Sequence, residues 1–279
     1  MGQPHDQGCD ELSVELLPFS FSGTASSGTE CLAAVATRHG GVSTGVYCSL
    51  NLGGHVGDDP DAVRENRDRL AAACGVDRVR FMDQQHTATV AVVDALLAGR
   101  GHGGDAAEAF PATDALVTDL PGVALAVLVA DCVPVVLVDP VRRAVGVAHC
   151  GRAGTLLGLL PATVGAMTQA FGTDPGDLRV GLGPCIGAAS YEVGPHEVAQ
   201  VAAALPGLDL LVPTRDGHAL LDLLTALRHQ LDGAGVPAAQ VEVSGVDTLS
   251  STDRFFSDRA ARPCGRFAAV VRLGPPLRT

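Results

Sequence analysis

Apolar positions concentrate in the middle of this chain. Between Pro121 and Gly154 three Val-rich runs follow one another, Val123–Ala130, Val133–Val138 and Ala144–Ala148, separated by short polar breaks. Each has strand length, and β-branched residues bounded by breakers predict strand over buried helix. Their apolarity is continuous, without alternation, so both faces of these strands are expected to be covered. Further strands are predicted at Cys31–Thr37, Thr89–Val93, Leu178–Leu182, Val241–Ser244 and Phe267–Leu273, and Asp114–Thr118 leads into the Val-rich centre. Helical signals begin at Asp58-Asp59-Pro60, where carboxylates and an early proline start a helix that runs to Cys74 and stops at Gly75. Its Arg64, Glu65, Arg67 and Asp68 read as a solvated face. Residues 155–171 predict a second helix with Leu160, Val164, Met167 and Phe171 on one side. Pro195–Leu205 and Ala219–Leu231 predict two more.

Polar residues matter most where they interrupt this pattern. Asp131 and Cys132 end the first Val-rich run, His149 ends the third, and the Gly-rich turn Gly151–Gly154 follows. Singly, such a cysteine is a small buried hydrophobe and such a histidine a core or edge residue. Together on neighbouring strands they mark a site built on a rigid scaffold. The stretch Arg38–Pro60 has no apolar period and is dense in Gly, Ser and Asn; long ordered loops of this kind tend to be functional. Arg38, His39, Ser43, Asn51 and His55 are its polar side chains, and Arg38, Ser43 and Asn51 are taken as candidate substrate contacts. The sequence Gly99–Gly104 satisfies G-x-G-x-x-G, but it follows no strand and opens no helix, so it is not read as a dinucleotide site.

Composition narrows the function. A formal charge of −12 disfavours nucleic acid and anionic membranes as partners. No apolar run spans a bilayer, because Asp131 and Pro134 interrupt the longest. The N-terminal residues lack the basic and apolar regions of a signal peptide, so the expected location is the cytoplasm. Eight cysteines are present without a C-x-x-C pair; apart from Cys132 they are expected to be reduced and mostly structural. With 47% hydrophobic residues and no linker-like segment, one domain is expected, residues 30–279, behind an N-terminal extension of residues 1–29. A thiolate and two imidazoles form a recognised metal set with an open fourth position, although spacing alone does not bring His86 to Cys132 and His149.

The ordered segments RHGGVSTGVYCSLNLGGHVGDDP, QQHTATV, ADCVP, AHCGRAG, GPCIG with YEVGP, and FFSDR with CGRFAAVV resemble the multicopper-oxidase-like laccase-domain family. That family is also called the purine nucleoside phosphorylase or peptidoglycan-editing family. The resemblance covers roughly residues 30–273. It implies an α+β fold, a single-domain four-layer α/β/β/α sandwich. It also implies a metal site of His86, Cys132 and His149 holding zinc, with copper as the alternative. The implied activity is phosphorolysis of purine nucleosides with adenosine deaminase side activity. Copper-dependent polyphenol oxidation and a cysteine hydrolase role in cell-wall precursor editing, with Cys132 as nucleophile and His149 as base, are the alternatives. Relatives carry His-Ala-Gly-Trp-Arg-Gly where this chain has His149-Cys150-Gly151-Arg152-Ala153-Gly154, so Arg152 is the expected phosphate contact from one position earlier. Deamination would want a nearby carboxylate for proton transfer, and Asp131 is the local candidate.

Overall fold

The computed structural model describes residues 13–24, 30–98 and 109–274. In chain order the elements begin with β1 (Leu16–Pro18), β2 (Gly23–Thr24), β3 (Glu30–Ala36), α1 (Pro60–Ala73), β4 (Val79–Arg80), β5 (Val90–Val92) and β6 (Ala115–Thr118). The Val-rich centre supplies β7 (Ala124–Val129), β8 (Val133–Asp139) and β9 (Ala144–Cys150), followed by α2 (Arg152–Leu156), α3 (Leu159–Phe171) and β10 (Arg179–Leu182). The last third adds β11 (Glu192–Val193), α4 (Pro195–Ala204), β12 (Leu211–Pro213), β13 (Ala219–Leu221), α5 (Leu223–Gly233), β14 (Val241–Val243) and β15 (Phe267–Leu273).

One six-stranded sheet has the order β1-β3-β15-β7-β4, with β2 added to β3; a second has the order β14-β10-β8-β9-β6-β5. They pack face to face, and strand parity explains why the central runs are apolar throughout. In β7, Leu125, Val127 and Val129 enter the core between the sheets, while Ala124, Ala126 and Leu128 face outward onto the α1 side with Leu70, Ala71 and Cys74. In β8, Val136 and Val138 join the inter-sheet core, while Val133, Val135 and Leu137 face α3 and α5. Each such buried Val or Leu contributes about 1.5–3 kcal/mol over leaving it exposed. The result is the expected α/β/β/α sandwich in one domain. Strands β1 and β2 fall in the stretch read as an extension and pair with β3. No helix among the described residues is long and apolar enough to cross a membrane.

Four local expectations are corrected. The helix over residues 155–171 is two helices, because Gly158 adopts φ 76, a left-handed conformation that ends α2 before α3 begins. Ala219–Leu231 is not one helix: Ala219–Leu221 pairs between β11 and β12, and Asp222 then caps α5 by accepting from Thr225 N at 3.0 Å. Arg67 is not on a solvated face but buried, with its guanidinium 4.2 Å from the Phe81 ring and Nε donating to Leu52 O at 3.0 Å. Burial lowers its pKa to about 10. Finally, Cys48 is disulfide-bonded, whereas Cys31, Cys74, Cys132, Cys150, Cys185 and Cys264 are free thiols as expected. The G-x-G-x-x-G segment lies outside the described residues.

Candidate metal centre

The β8–β9 hairpin sets two of the three ligands. Its register pairs Val133 with Cys150 and Pro134 with His149, so Cys132, one residue before β8, arrives beside the end of β9. Asp131, just before it, turns the chain at φ 88, a conformation that costs a non-glycine residue free energy. His86 comes from the segment between β4 and β5 and also has positive φ, 57°. The segment is tied down on both sides of that residue. The Gln84 side-chain amide exchanges two hydrogen bonds with the Leu128 backbone at 2.7 and 2.8 Å. Asp114, immediately before β6, accepts from the backbone N–H of Gln85, His86 and Thr87 at 3.2, 3.0 and 2.7 Å.

Asp114 also reaches the third ligand. Its Oδ1 lies 2.9 Å from His149 Nδ1, and its carbonyl accepts from His149 N–H at 2.8 Å. One fully buried carboxylate thus fixes the ring of one histidine and the backbone of the other. With Nδ1–H engaged by Asp114, His149 presents Nε2 to the cluster, the arrangement in which a carboxylate orients a metal-binding imidazole. Burial acts to raise the Asp114 pKa, but the hydrogen bonds from His149 and Thr87 prevail and hold it at about 2. Burial likewise opposes charge on His149, yet the Cys132 sulfur and the Asp114 carboxylate raise its pKa to about 9. His86 is pushed the other way, first by partial desolvation of its ring among its neighbours and then by the positive charge of His149.

The donor atoms of His86, Cys132 and His149 all lie within 4.8 Å of one another. Donors around one tetrahedral zinc stand about 3.3–3.6 Å apart at ordinary bond lengths, so modest closure brings the three onto one ion. Gly151 makes this approach possible. A Cβ there would stand 2.7 Å from Cys132 Sγ and 3.0 Å from His86 Nδ1, inside the ligand set itself. The donor chemistry and this side-chain-free cradle both fit a metal. His149 is buried, Cys132 half-buried and His86 exposed, so the cluster opens toward His86.

Two cavities reach the cluster. One, of ≈170 Å³, borders Cys132 and is lined also by Asp131, Arg152, Tyr191, Arg259 and Arg262. The other, of ≈510 Å³, borders His86 and includes His55, Arg67, Phe81, Gln84 and Gln85. The structure therefore brings His86, Cys132, His149, Asp131 and Arg152 together. It does not bring Arg38, Ser43 and Asn51, none of which lines either cavity. Arg38 donates to Cys48 O and Thr252 O at 2.8 and 2.7 Å. Ser43 and Asn51 both donate to Asp58 Oδ2, at 2.6 and 2.8 Å, and Asn51 Oδ1 accepts from Arg266 N. These three organise the long loop from within. Asp131 borders Cys132 as expected, but both carboxylate oxygens have partners: Thr248 Oγ1 at 2.6 Å and Arg259 N at 2.7 Å. The helix beginning at Arg152 has only five residues, so the anion contact expected there rests on side chains and not on a helix terminus.

A family model described as multi-copper polyphenol oxidoreductase laccase matches residues 32–274. The chain belongs to this family. Among its relatives, a protein of Streptomyces coelicolor named purine nucleoside phosphorylase is 44% identical, over 85% of this chain and 93% of its own. The crystal structure of YlmD from Geobacillus stearothermophilus superposes with a TM-score of 0.82 at 38% identity, covering 87% of this chain and 91% of that one. A Bacillus licheniformis protein, YfiH, gives 0.81 at 34% identity, over 88% and 93%. The sequence reading did not pick Asp114, Tyr191 or Arg259 as site residues, and it took Gly151 only as the start of the Gly-rich turn after His149. Asp114 had one signal: β6 pairs with β9 so that Ala115 faces Ala148, which sets Asp114 beside His149. That register becomes visible only when the strand pairing is known.

Proposed function

We propose that this protein is a zinc-dependent purine nucleoside phosphorylase that converts adenosine, inosine or guanosine plus phosphate into free base and ribose 1-phosphate, with adenosine deaminase side activity. The observation that carries the reading is a His–Cys–His cluster bordered by an arginine-lined cavity, in a chain whose relatives bear that name. His86, Cys132 and His149 would hold the metal, and when bound the zinc supplies Lewis acidity that polarises a substrate oxygen.

In phosphorolysis a phosphate oxygen bonds to the anomeric carbon, the bond from that carbon to the base nitrogen breaks, and its electron pair leaves with the base. The protein's task is to hold two substrates in line for that exchange. Arg152 offers the phosphate a charged donor, positioned by Gln200 and lying 4.0 Å from Glu197. The cavity beside His86 has room for the nucleoside, at a volume typical of small-molecule sites. Asp114 keeps both histidines in place. Asp131 anchors Arg259, and each of its carboxylate oxygens already accepts one hydrogen bond, from Thr248 and from the Arg259 amide.

One observation favours a second reading. Cys132, His149 and Asp114 form a thiol–imidazole–carboxylate line, an arrangement that also serves a cysteine nucleophile. An oxygen-free incubation separates the possibilities. The zinc-loaded protein should release free base from inosine only when phosphate is present, with ribose 1-phosphate as co-product, and should form inosine from adenosine without phosphate. A copper oxidase would require copper and oxygen and leave nucleosides untouched. A cysteine hydrolase would keep cleaving amides or esters after chelation. Nucleosides that survive high concentrations of the zinc-loaded protein would refute the reading.

A further inference from the structure

We infer that the cavity beside Cys132 is a preformed oxyanion subsite in which Arg259 is the principal donor and Arg152 the second, and that it receives the phosphate co-substrate. The inference rests on the phosphorolysis reading for the identity of the anion; the pocket's preference for a small oxyanion stands on its own geometry.

Size separates the two cavities first. At ≈170 Å³ the Cys132 cavity is smaller than the roughly 300–1,000 Å³ of drug-sized sites, whereas the His86 cavity at ≈510 Å³ falls among them. The smaller one suits a small anion and the larger one a nucleoside. Charge points the same way. Asp131 and Asp258 are the two carboxylates facing the smaller cavity, and both are engaged. Asp131 accepts from Thr248 and from the Arg259 backbone. Asp258 pairs with Arg262 at 2.6 Å and with Arg266 at 3.5 Å. Arg262 is thereby committed, and its side chain is 75% exposed at the rim.

Arg259 is held differently. Its backbone N–H is fixed by Asp131, its Nη1 donates to Glu192 O at 3.0 Å, and its guanidinium carbon lies 5.4 Å from the Tyr191 ring centre. Its Nε and Nη2 have no partner among the described residues. An arginine fixed at its backbone and at one terminal nitrogen loses little side-chain freedom when it binds, and its remaining edge offers the fork that matches phosphate. Arg152, tied to Gln200 on α4, lines the same cavity together with Tyr191. Asp131 thus does two things: it turns the chain into Cys132 and fixes the arginine that faces the anion. The coupling places the oxyanion next to the metal cluster.

The test uses inorganic phosphate alone, titrated calorimetrically into the zinc-loaded full chain without nucleoside. Wild type should bind it. Arg259→Gln should weaken binding about tenfold or more, the loss expected for one charge-assisted pair. Arg259→Lys should recover only part, since an ammonium restores charge but not the fork. Zinc content and circular dichroism identify any variant that fails to fold, and the lysine variant then carries the comparison. In turnover, Arg259→Gln should raise the phosphate KM and leave the nucleoside KM near wild type. Phosphate binding that depends on Arg259 in a protein that leaves nucleosides intact would keep the subsite and defeat the phosphorylase reading. Phosphorolysis with an unchanged phosphate KM in Arg259→Gln would defeat the subsite alone. Wild type that binds no phosphate overturns the inference.

Discussion

Substituting Asp114 by asparagine removes one charge and exchanges one acceptor for a donor, in a position where every neighbour donates. In the wild type, Oδ1 faces His149 Nδ1 and His86 N, and Oδ2 faces Gln85 N, Thr87 N and Thr87 Oγ1. An asparagine has two ways to sit. With its NH₂ toward Gln85 and Thr87 it leaves two partly buried backbone N–H groups facing a donor, each costing at most about 1–3 kcal/mol. With its NH₂ toward His149 it favours the tautomer with the proton on Nε2, the nitrogen that metal binding needs bare. Either way the ligand set is impaired. Loss of such an orienting partner typically lowers metal affinity about 10–100-fold, or about 1.4–2.8 kcal/mol. Competition with a graded chelator, on wild type and Asp114→Asn side by side, reads this directly, and urea denaturation of the metal-free proteins reads the backbone cost. Zinc affinity within twofold of wild type, together with an unchanged urea midpoint, would refute the positioning role.

Three further outcomes are expected. Gly151→Ala should fold yet bind well under half an equivalent of zinc by elemental analysis, because its methyl group would stand 2.7 Å from Cys132 Sγ. Arg152→Ala should raise the phosphate KM with the nucleoside KM nearly unchanged, the kinetic signature of one lost binding contact. Asp247→Asn should lower stability near neutral pH: burial acts to raise the Asp247 pKa, but bonds from Ser190, Gly187 and Leu249 hold it below the usual carboxylate value. A depressed carboxylate stabilises above its unfolded value of about 3.9 and loses that contribution as pH falls further. The gap between wild type and Asp247→Asn in urea midpoints should therefore be full near neutrality and close below about pH 4.

The sheets were legible because continuous apolarity is itself a signal: only a strand covered on both faces accommodates β7 and β8 as written. The ends of those runs gave Cys132 and His149, and the resemblance added His86. Local chemistry misled where a single residue overrode the pattern. Gly158 divides a helix whose apolar face is continuous across the break, and Ala219–Leu221 carries a helical-looking composition into a strand because β11 and β12 flank it. Arg38, Ser43 and Asn51 illustrate a more general limit. A loop dense in polar side chains reads the same whether those groups face a ligand or one another; here Asp58 and Arg266 take Ser43 and Asn51, and the Cys48 and Thr252 carbonyls take Arg38. Asp114 was hidden for the opposite reason. One carboxylate before a strand is an ordinary turn residue in sequence, and its importance comes from register across β6 and β9 and from a segment some 28 residues upstream.

The central claim is that one metal held by His86, Cys132 and His149 supports phosphorolysis of purine nucleosides. Its most direct test is reconstitution: metal-free protein is titrated with zinc under nitrogen, in the presence of inosine and phosphate, while ribose 1-phosphate is quantified by chromatography. The rate should rise linearly and break at one zinc per chain, and Cys132→Ala should stay inactive throughout the titration. Ribose 1-phosphate formed at full rate before zinc is added, or none formed after one equivalent has bound, would contradict the account.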